Sequence, residues 1–587
     1  MIINRLNQNA EGQAPLSFSW FVNFFLKKNA GHFLLLLVTV IFLLPVTKLV
    51  YLSFVSESGL GFEYYYDVFQ DMRTWKVLSN TFYLVTGATF LSVILGVIMA
   101  WFIAYSDIRH KNLIQLFIFF PFIIPSYIVT LSWVQFMGHN GIAAKILHIF
   151  FESAELWNMY SMSGMIFVMG ISHYPLVYLL TVGVLRRIPR ELEFASRSSG
   201  AGKGKTFIKI TLPLALPGIA SGGLLAFLGS LDNFGVPAFL GIPANISVLS
   251  TYIYERIVGF GPSAFSQASV LSVTLGVIAL FGTLFQWFFV RTSKRIETSH
   301  EDLQPRFLLG KKRIIVETFI WLFLIITGLI PFIAMAGTSL IKAYGLPFHL
   351  DNITLAHYHF LLFESEKVKT AIFNSIQLSA ITTLFSLFAG TMIAYFRVRQ
   401  PNMLYRSVEL IVGIPFALPG VVLALAMIFA WMEPIPGWNP GIYGSKLIIL
   451  IAYISRFMIL QVRGSITAFM QVDESMEEAS SLSGANRYIT WKKILIPLLL
   501  PGIISGAVFV LLTSLTELTV STLLSSTGNE TIGMVIFNFE QAGYTTYSSG
   551  FSSLVVLSVI IGMIVFSIMK KHHKKVTNYE FNNYKSV

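Results

Sequence analysis

The sequence predicts an all-helical polytopic membrane protein of about twelve spans, arranged as two parallel six-span repeats. Three observations carry this expectation: the composition, the length of the uncharged runs, and a segment that recurs at a fixed offset. Hydrophobic residues make up 55% of the chain and charged residues only 12%, with mean hydropathy +0.70. A soluble globular protein usually carries about twice that charge. Runs such as 77–106, 112–137, 266–290 and 551–569 exceed the roughly 20 residues a helix needs to cross a bilayer core. In hydrocarbon the backbone must satisfy its own polar groups, so such runs must be helical.

Taken in order, residues 1–32 read as a cytoplasmic leader. Its stretch LSFSWFVNFFLKK (16–28) fits either an interfacial helix or a plain lead-in. No cleavable signal is expected, because the first apolar stretch starts near His32 and runs on into a full span. Six spans at 33–54, 77–106, 112–137, 162–185, 210–231 and 266–290 form a first half, 33–290. A basic cytoplasmic linker occupies 291–313. Spans at 314–341, 370–396, 408–432, 447–466, 494–516 and 551–569 form a second half, 314–569, followed by a basic tail, 570–587.

Basic residues set the orientation. Lys27 and Lys28 precede span one, and Arg109 and Lys111 join spans two and three. Between spans four and five lie Arg186, Arg187, Arg190, Arg197, Lys203, Lys205 and Lys209. The linker carries Arg291, Lys294, Arg295, Arg306, Lys311, Lys312 and Arg313, and the tail Lys570, Lys571, Lys574 and Lys575. The alternate loops 138–161, 232–265 and 517–550 hold few. Both ends are therefore expected in the cytoplasm. The formal charge of +12 is explained by the same loops, so no nucleic-acid partner is expected. The absence of cysteine excludes disulfides, thiolate metal sites and cysteine nucleophiles.

The recurring segment is SGAGKGKTFIKITLPLALPGIASGG (199–223) against SGANRYITWKKILIPLLLPGIISGA (483–507). Gly200, Pro213, Pro217, Gly218 and Gly222 match Gly484, Pro497, Pro501, Gly502 and Gly506 at a constant offset of 284. Upstream, Asn80, Gly96, Ala100, Pro121 and Pro125 match Asn374, Gly390, Ala394, Pro415 and Pro419 at an offset of 294. Six spans separate matched points, so the halves share one topology and are parallel repeats about an axis along the membrane normal.

SSGAGKGKT (198–206) has the look of a phosphate cradle. A true cradle needs Gly, four residues, then Gly-Lys-Ser/Thr after a hydrophobic strand. The first glycine position holds Ser199, what precedes it is charged, and the repeat partner lacks Gly-Lys-Thr. No ATPase site is expected on this chain, and no cofactor.

The duplicated stretch, MEEASSLSGANRYITWKKILIPLLLPG in its second copy, resembles the EAA loop of binding-protein-dependent ABC importer permeases. Glu478, Ala479 and Ser480 stand at its first three positions, Gly484 at the turn and Ile494-Leu495-Ile496-Pro497 at the end. The first copy fits as Phe194, Ala195, Ser196, Gly200 and Ile210-Thr211-Leu212-Pro213, with Glu193 one residue early. The resemblance implies that both loops dock on two copies of a cytoplasmic ATPase, while an extracytoplasmic binding protein delivers substrate. It also implies transport, not covalent chemistry. One residue of slip turns a helical side chain by about 100°, so the two loops are expected to be unequal through Phe194.

Ionisable residues within spans default to functional candidates: Lys48, His173, Asp232, Arg456 and Glu517. His173 and Arg456 also fit packing roles, and Lys48 can snorkel. Asp232 and Glu517 lie within one residue of the same repeat position, at the end of span five of each half. Two carboxylates beside a path favour a cation, hard trivalent iron in particular; wetted helix ends are the plain alternative. SLTELTVSTLL and DNFGVPAFLG resemble the acidic segment of ferric-iron importer permeases, in which the acid aligns with Asn233 rather than Asp232. Thiamine and aminoethylphosphonate permeases share the fused arrangement. An ion-gradient-driven carrier of twelve spans is the rival of a different class, although such a carrier has no use for the duplicated loop. The paired prolines fit either kinks for a rocking motion or packing.

Overall fold

The computed structural model describes residues 35–562 apart from 57–58, 140, 151–155, 260–262, 292–301 and 433–440, together with residue 564. The leader with Lys27 and Lys28, linker residues Lys294 and Arg295, and the basic tail lie outside the described residues. Ten helices are long and apolar enough to cross a membrane, and two further pairs of helices pass that test jointly. The ten are Leu35–Leu52, Met72–Tyr105, Met162–Leu185, Lys203–Asp232, Ala264–Phe285, Gly310–Ser339, Glu366–Arg399, Lys446–Phe469, Tyr488–Leu515 and Thr545–Gly562. Among the described residues the only strands are two-residue pieces, Val55–Ser56 paired with Gly59–Leu60.

Spans three and nine are broken at the paired prolines, which fits the reading of them as kinks rather than packing features alone. Lys111–Ile123 and Ser126–His148 meet at 99°, and Met403–Ala417 and Gly420–Met432 at 111°. The cause is the second proline of each pair. A residue before proline is driven out of the helical region, and Ile124 and Leu418 are extended, with ψ 134° and 142°. Pro121 and Pro415, by contrast, sit inside their helices.

Within each half, span four is gripped between spans two and five at repeated glycines. A Cβ on Gly96 would stand 2.6 Å from Val177 Cβ, and one on Gly222 would stand 2.6 Å from Val177 Cα. At the matched place in the second half, a Cβ on Gly390 or Gly506 would meet Gln461 at 3.0 or 2.8 Å. Gly218-x3-Gly222 and Gly502-x3-Gly506 are thus the small-residue faces that membrane helices use to approach closely. The second node is polar: Gln461 Nε2 donates to Ser465 Oγ at 3.0 Å and to the Ile503 carbonyl at 3.2 Å. The matched asparagines also act alike. Asn80 Nδ2 donates to the Ser247 carbonyl at 3.0 Å, and Asn374 Nδ2 to that of Gly528 at 3.1 Å.

The chain forms two compact units, each drawing helices from both sequence halves. One comprises 1–52, 373–418 and 423–529; the other comprises 53–372, 419–422 and 530–587. In the first unit, Val38 and Phe42 of span one pack with Ile393, Val408, Val412 and Met458. In the second, span seven packs on the broken span three, with Trp321 against Phe117 at 5.5 Å and Phe332 against Phe120 at 5.3 Å.

The glycine grip is directly testable. Gly222→Ala should cost about 1–3 kcal/mol, because its methyl meets backbone that cannot yield. Gly204→Ala, whose Cβ would meet nothing within 4 Å, should leave stability unchanged. Thermal unfolding of the purified variants in detergent checks both; equal midpoints would contradict the grip.

Candidate functional site

The two repeated loops fold to the same hydrogen-bonded pattern. Helix Arg190–Ser198 ends at Gly200, with φ 84°, and helix Ser475–Leu482 ends at Gly484, with φ 78°. Only glycine adopts such a backbone without strain. Gly200 N donates to the Arg197 carbonyl and Ala201 N to that of Ser196; Gly484 N and Ala485 N do the same to Ser481 and Ser480. This pair of bonds is a Schellman cap, which satisfies carbonyls the helix end would leave open. Ser196 and Thr206 hydroxyls then tie the turn at 3.1 Å, as Ser480 and Thr490 do at 2.8 Å. Each chain re-enters its span through a π-helical turn, Phe207–Thr211 and Trp491–Leu495. The Thr206 hydroxyl of the apparent phosphate cradle is therefore engaged, and a helix precedes it where a cradle needs a strand.

The acids resolve differently from the sequence pattern. Glu193 faces its own unit: Oε1 accepts from Thr211 Oγ1 at 2.7 Å and pairs with Arg306 at 2.9 Å. Its counterpart at the 284 offset is Glu477, which accepts from Arg399 Nε at 2.7 Å. Glu478 is exposed, and so is Phe194 at the matching place, 56%. Both loops thus hold an inward acid in the same register, and Phe194 replaces the exposed one. Ala195 and Ala479 are exposed as well. Leu192 and Met476, also matched, are each 44% exposed. Exposed apolar side chains around a rigid turn make a surface that can receive a partner.

The first loop is strapped by the linker, a feature with no local sequence signal. Arg190 grips Asp302 in a bidentate pair and donates to the Gln304 carbonyl at 2.7 Å. That guanidinium holds the Asp302 carboxyl below the usual carboxylate range. Asp302 N donates to the Arg186 carbonyl at 2.8 Å, and Arg306 N to the Tyr105 carbonyl at 2.7 Å. The Arg306 guanidinium lies 4.2 Å from the centre of the Tyr105 ring, and Phe307 packs on Trp101 at 4.9 Å. Leu309 N donates to Asp107 Oδ1 at 2.8 Å, and Arg313 pairs with the same carboxylate. In the second loop the partner of the acid comes from the end of span eight instead, with Arg399 also donating to the Val472 carbonyl at 2.9 Å.

Asp232 and Glu517 fall in different units, and each carboxylate takes a backbone N–H at the start of a helix. Asp232 Oδ1 accepts from Gly420 N at 2.6 Å, the first residue of Gly420–Met432. Glu517 is 8% exposed and accepts from Val520 N at 2.8 Å and Ser521 N at 3.0 Å, capping Thr519–Leu524. Negative charge is stabilised at such helix starts. Asn233, which matches Glu517, does similar work: Oδ1 accepts from Val236 N and Nδ2 donates to Ser126 Oγ, both at 3.0 Å. Buried His173 shares a hydrogen bond of 3.1 Å between Nδ1 and Ser230 Oγ. Arg456 is buried with its guanidinium 5.8 Å from the centre of the Phe457 ring.

Cutting each ion pair separates the two loops. Arg306→Ala, which also removes the charged hydrogen bond to the Ile188 carbonyl, should speed amide hydrogen exchange across 190–201 by roughly ten- to a hundredfold, the equivalent of about 1.5–3 kcal/mol for such a bond, while leaving 475–485 unchanged. Arg399→Ala should do the reverse. Equal effects on both loops in either variant would contradict the separate anchoring.

Comparison with known proteins follows this geometry. Residues 92–298 and 382–578 each match the family described as binding-protein-dependent transport system inner membrane component. The ferric transport system permease protein FbpB of Actinobacillus pleuropneumoniae is 24% identical over 84% of this chain and 70% of its own length. The Fe(3+)-transport system permease protein FbpB 2 of Haemophilus influenzae is 22% identical over 85% of this chain and 90% of its own. The molybdenum transport system permease protein ModB of Escherichia coli is 27% identical over 35% of this chain and 90% of its own. Two matched segments in one polypeptide account for the repeat, and the chain belongs to the binding-protein-dependent transport system inner membrane components, as a fused two-half permease of the ABC importer class.

Proposed function

We propose that this permease forms the translocation path of an ATP-driven importer of ferric iron. The observation that carries the importer reading is the glycine-capped loop built twice with the same bonds. Two copies of a cytoplasmic ATPase grip the loops 191–213 and 475–497 through Ala195, Gly200, Phe194 and their counterparts Ala479, Gly484 and Glu478. Glu193, like Glu477, serves the loop from inside by anchoring it. A substrate-loaded binding protein docks on the opposite face, and both termini lie in the cytoplasm. The halves run over 33–290 and 314–569, joined by the linker 291–313.

ATP binding closes the ATPase pair and opens the path outward, and hydrolysis resets it. The helix breaks at Pro125 and Pro419 are where the permease yields, because no continuous backbone ladder spans them. Asp232 and Glu517 hold the starts of short helices in this conformation. A carboxylate released from such a cap is a hard oxygen ligand suited to a trivalent cation. The ferric permeases among the relatives support the choice of iron over thiamine or aminoethylphosphonate. An ion-gradient carrier leaves the duplicated loop without a purpose.

Uptake of radioactive ferric iron by cells lacking this gene tests the proposal. The wild-type chain should restore uptake under iron starvation. Glu517→Gln, expressed equally, should lower it by roughly tenfold or more, the scale of one lost charged interaction. Deleting the ATPase should abolish uptake altogether. Failure of the wild type to restore iron uptake would overturn the ferric assignment and direct the same assay to thiamine and aminoethylphosphonate. Uptake that survives without the ATPase would overturn the importer itself.

A further inference from the structure

At the end of its spans opposite the glycine-turn loop 190–201 of the same unit, a cavity of about 70 Å³ opens between helices Glu63–Gln70, Leu249–Val258 and the start of Ala264–Arg291. Its polar lining is Asp67, Asp71, Thr74, Tyr252, Arg256 and Gln267. Asp71 is already shared: Oδ1 accepts from Arg73 N at 2.8 Å, and Oδ2 from Arg256 at 3.1 Å and from Tyr252 Oη at 3.2 Å. The guanidinium carbons of Arg73 and Arg256 lie 4.9 Å from the centre of the Tyr252 ring, and Arg73 pairs with Glu255. Asp67 is in no ion pair among the described residues, so the lining carries two carboxylates against one guanidinium. Thr74 is 1% exposed, lines the cavity, and its hydroxyl has no hydrogen-bond partner in the protein.

We propose that this cavity is an ammonium pocket, and that its occupant is a lysine side chain of the extracytoplasmic protein that docks on this face. An ammonium has three N–H donors and accepts nothing, and the lining offers it Asp67, the Thr74 hydroxyl and the Gln267 carbonyl oxygen. The size agrees. A water needs roughly 10–15 Å³ of such space, so about 70 Å³ holds an ammonium head with its last methylenes. Val68 and Leu271 give an apolar wall for that stem. A guanidinium is a poorer fit, because its flat fork wants a paired carboxylate and Asp71 is already shared. A metal ion is a poorer one: among the described residues no three His, Asp, Glu or Cys groups converge, and Arg256 stands at the same site. The placement of this face outside the cytoplasm rests on the importer reading; the chemistry of the pocket does not.

The test has two arms. In the first, saturation-transfer NMR follows n-butylammonium, a lysine side-chain analogue, on the full-length permease in nanodiscs. Binding should weaken at least tenfold in Asp67→Asn, n-butanol should not bind, and excess Mg²⁺ should not displace the amine. No transfer to the wild type, equal transfer to Asp67→Asn, or displacement by Mg²⁺ would overturn the ammonium pocket. In the second, Asp67→Lys places a tethered ammonium in the cavity and should cut substrate uptake at least tenfold while the variant still co-purifies with its ATPase. Uptake at the wild-type rate would overturn the docking role. A wild-type chain that transports no iron defeats the ferric reading alone, because the amine titration does not depend on the substrate.

Discussion

Inside a membrane no backbone polar group can be left open, and that constraint governs the helix breaks and span ends of this permease. Straight spans meet it internally. The helix starts near the breaks and at the ends of the fifth spans meet it with side chains: Asp232 at Gly420, Glu517 at Val520 and Ser521, and Asn233 at Val236. Two of these three residues, Asp232 and Glu517, are ionisable.

The two halves share a plan and differ in how it is secured. Around span four, the glycine node of one half closes on Val177, and that of the other on Gln461 with its hydrogen bonds to Thr391 and Ile503 of the neighbouring spans. The first loop is fastened by the linker, the second by the end of a span. Of two loops built to one pattern, only the first therefore has its anchor on the segment joining the halves. Because Asp302 is held in its charged form, its part of the strap is complete above the ordinary carboxylate range. It is lost only as pH falls through the depressed value, since the folded state then binds a proton late. Across physiological pH the Arg190–Asp302 pair does not change.

Much of this was legible in the sequence because hydropathy and repetition are local signals. Ten spans emerge close to where the apolar runs place them, and the loops emerge where Gly200 and Gly484 fix the turn. Hydropathy measures how apolar a segment is, not its direction; the paired prolines marked an interruption of spans three and nine, but not that the chain turns through about a right angle at Pro125 and Pro419. The inward acid of the second loop was masked by Glu478, the residue that fits the motif. The shared offset of Glu193 and Glu477 would have found it. Arg306 gave no signal at all as a partner of Glu193, because nothing in either neighbourhood marks a pairing across that length of chain. The caps made by Asp232 and Glu517 were hidden for the same reason: a carboxylate at a span end looks alike whether it faces solvent, a cation or a helix start.

The parallel repeat, with both glycine-turn loops on the cytoplasmic face, is the claim on which the rest stands. The chain contains no cysteine, so single cysteines report sidedness without a background to remove. Ser199→Cys and Ser483→Cys probe the loops, and Tyr66→Cys and Leu350→Cys the other side. A membrane-impermeant maleimide should label positions 199 and 483 only in inside-out vesicles, and positions 66 and 350 only in intact spheroplasts. Labelling of 199 and 483 from opposite sides, or of both from outside, would contradict the account.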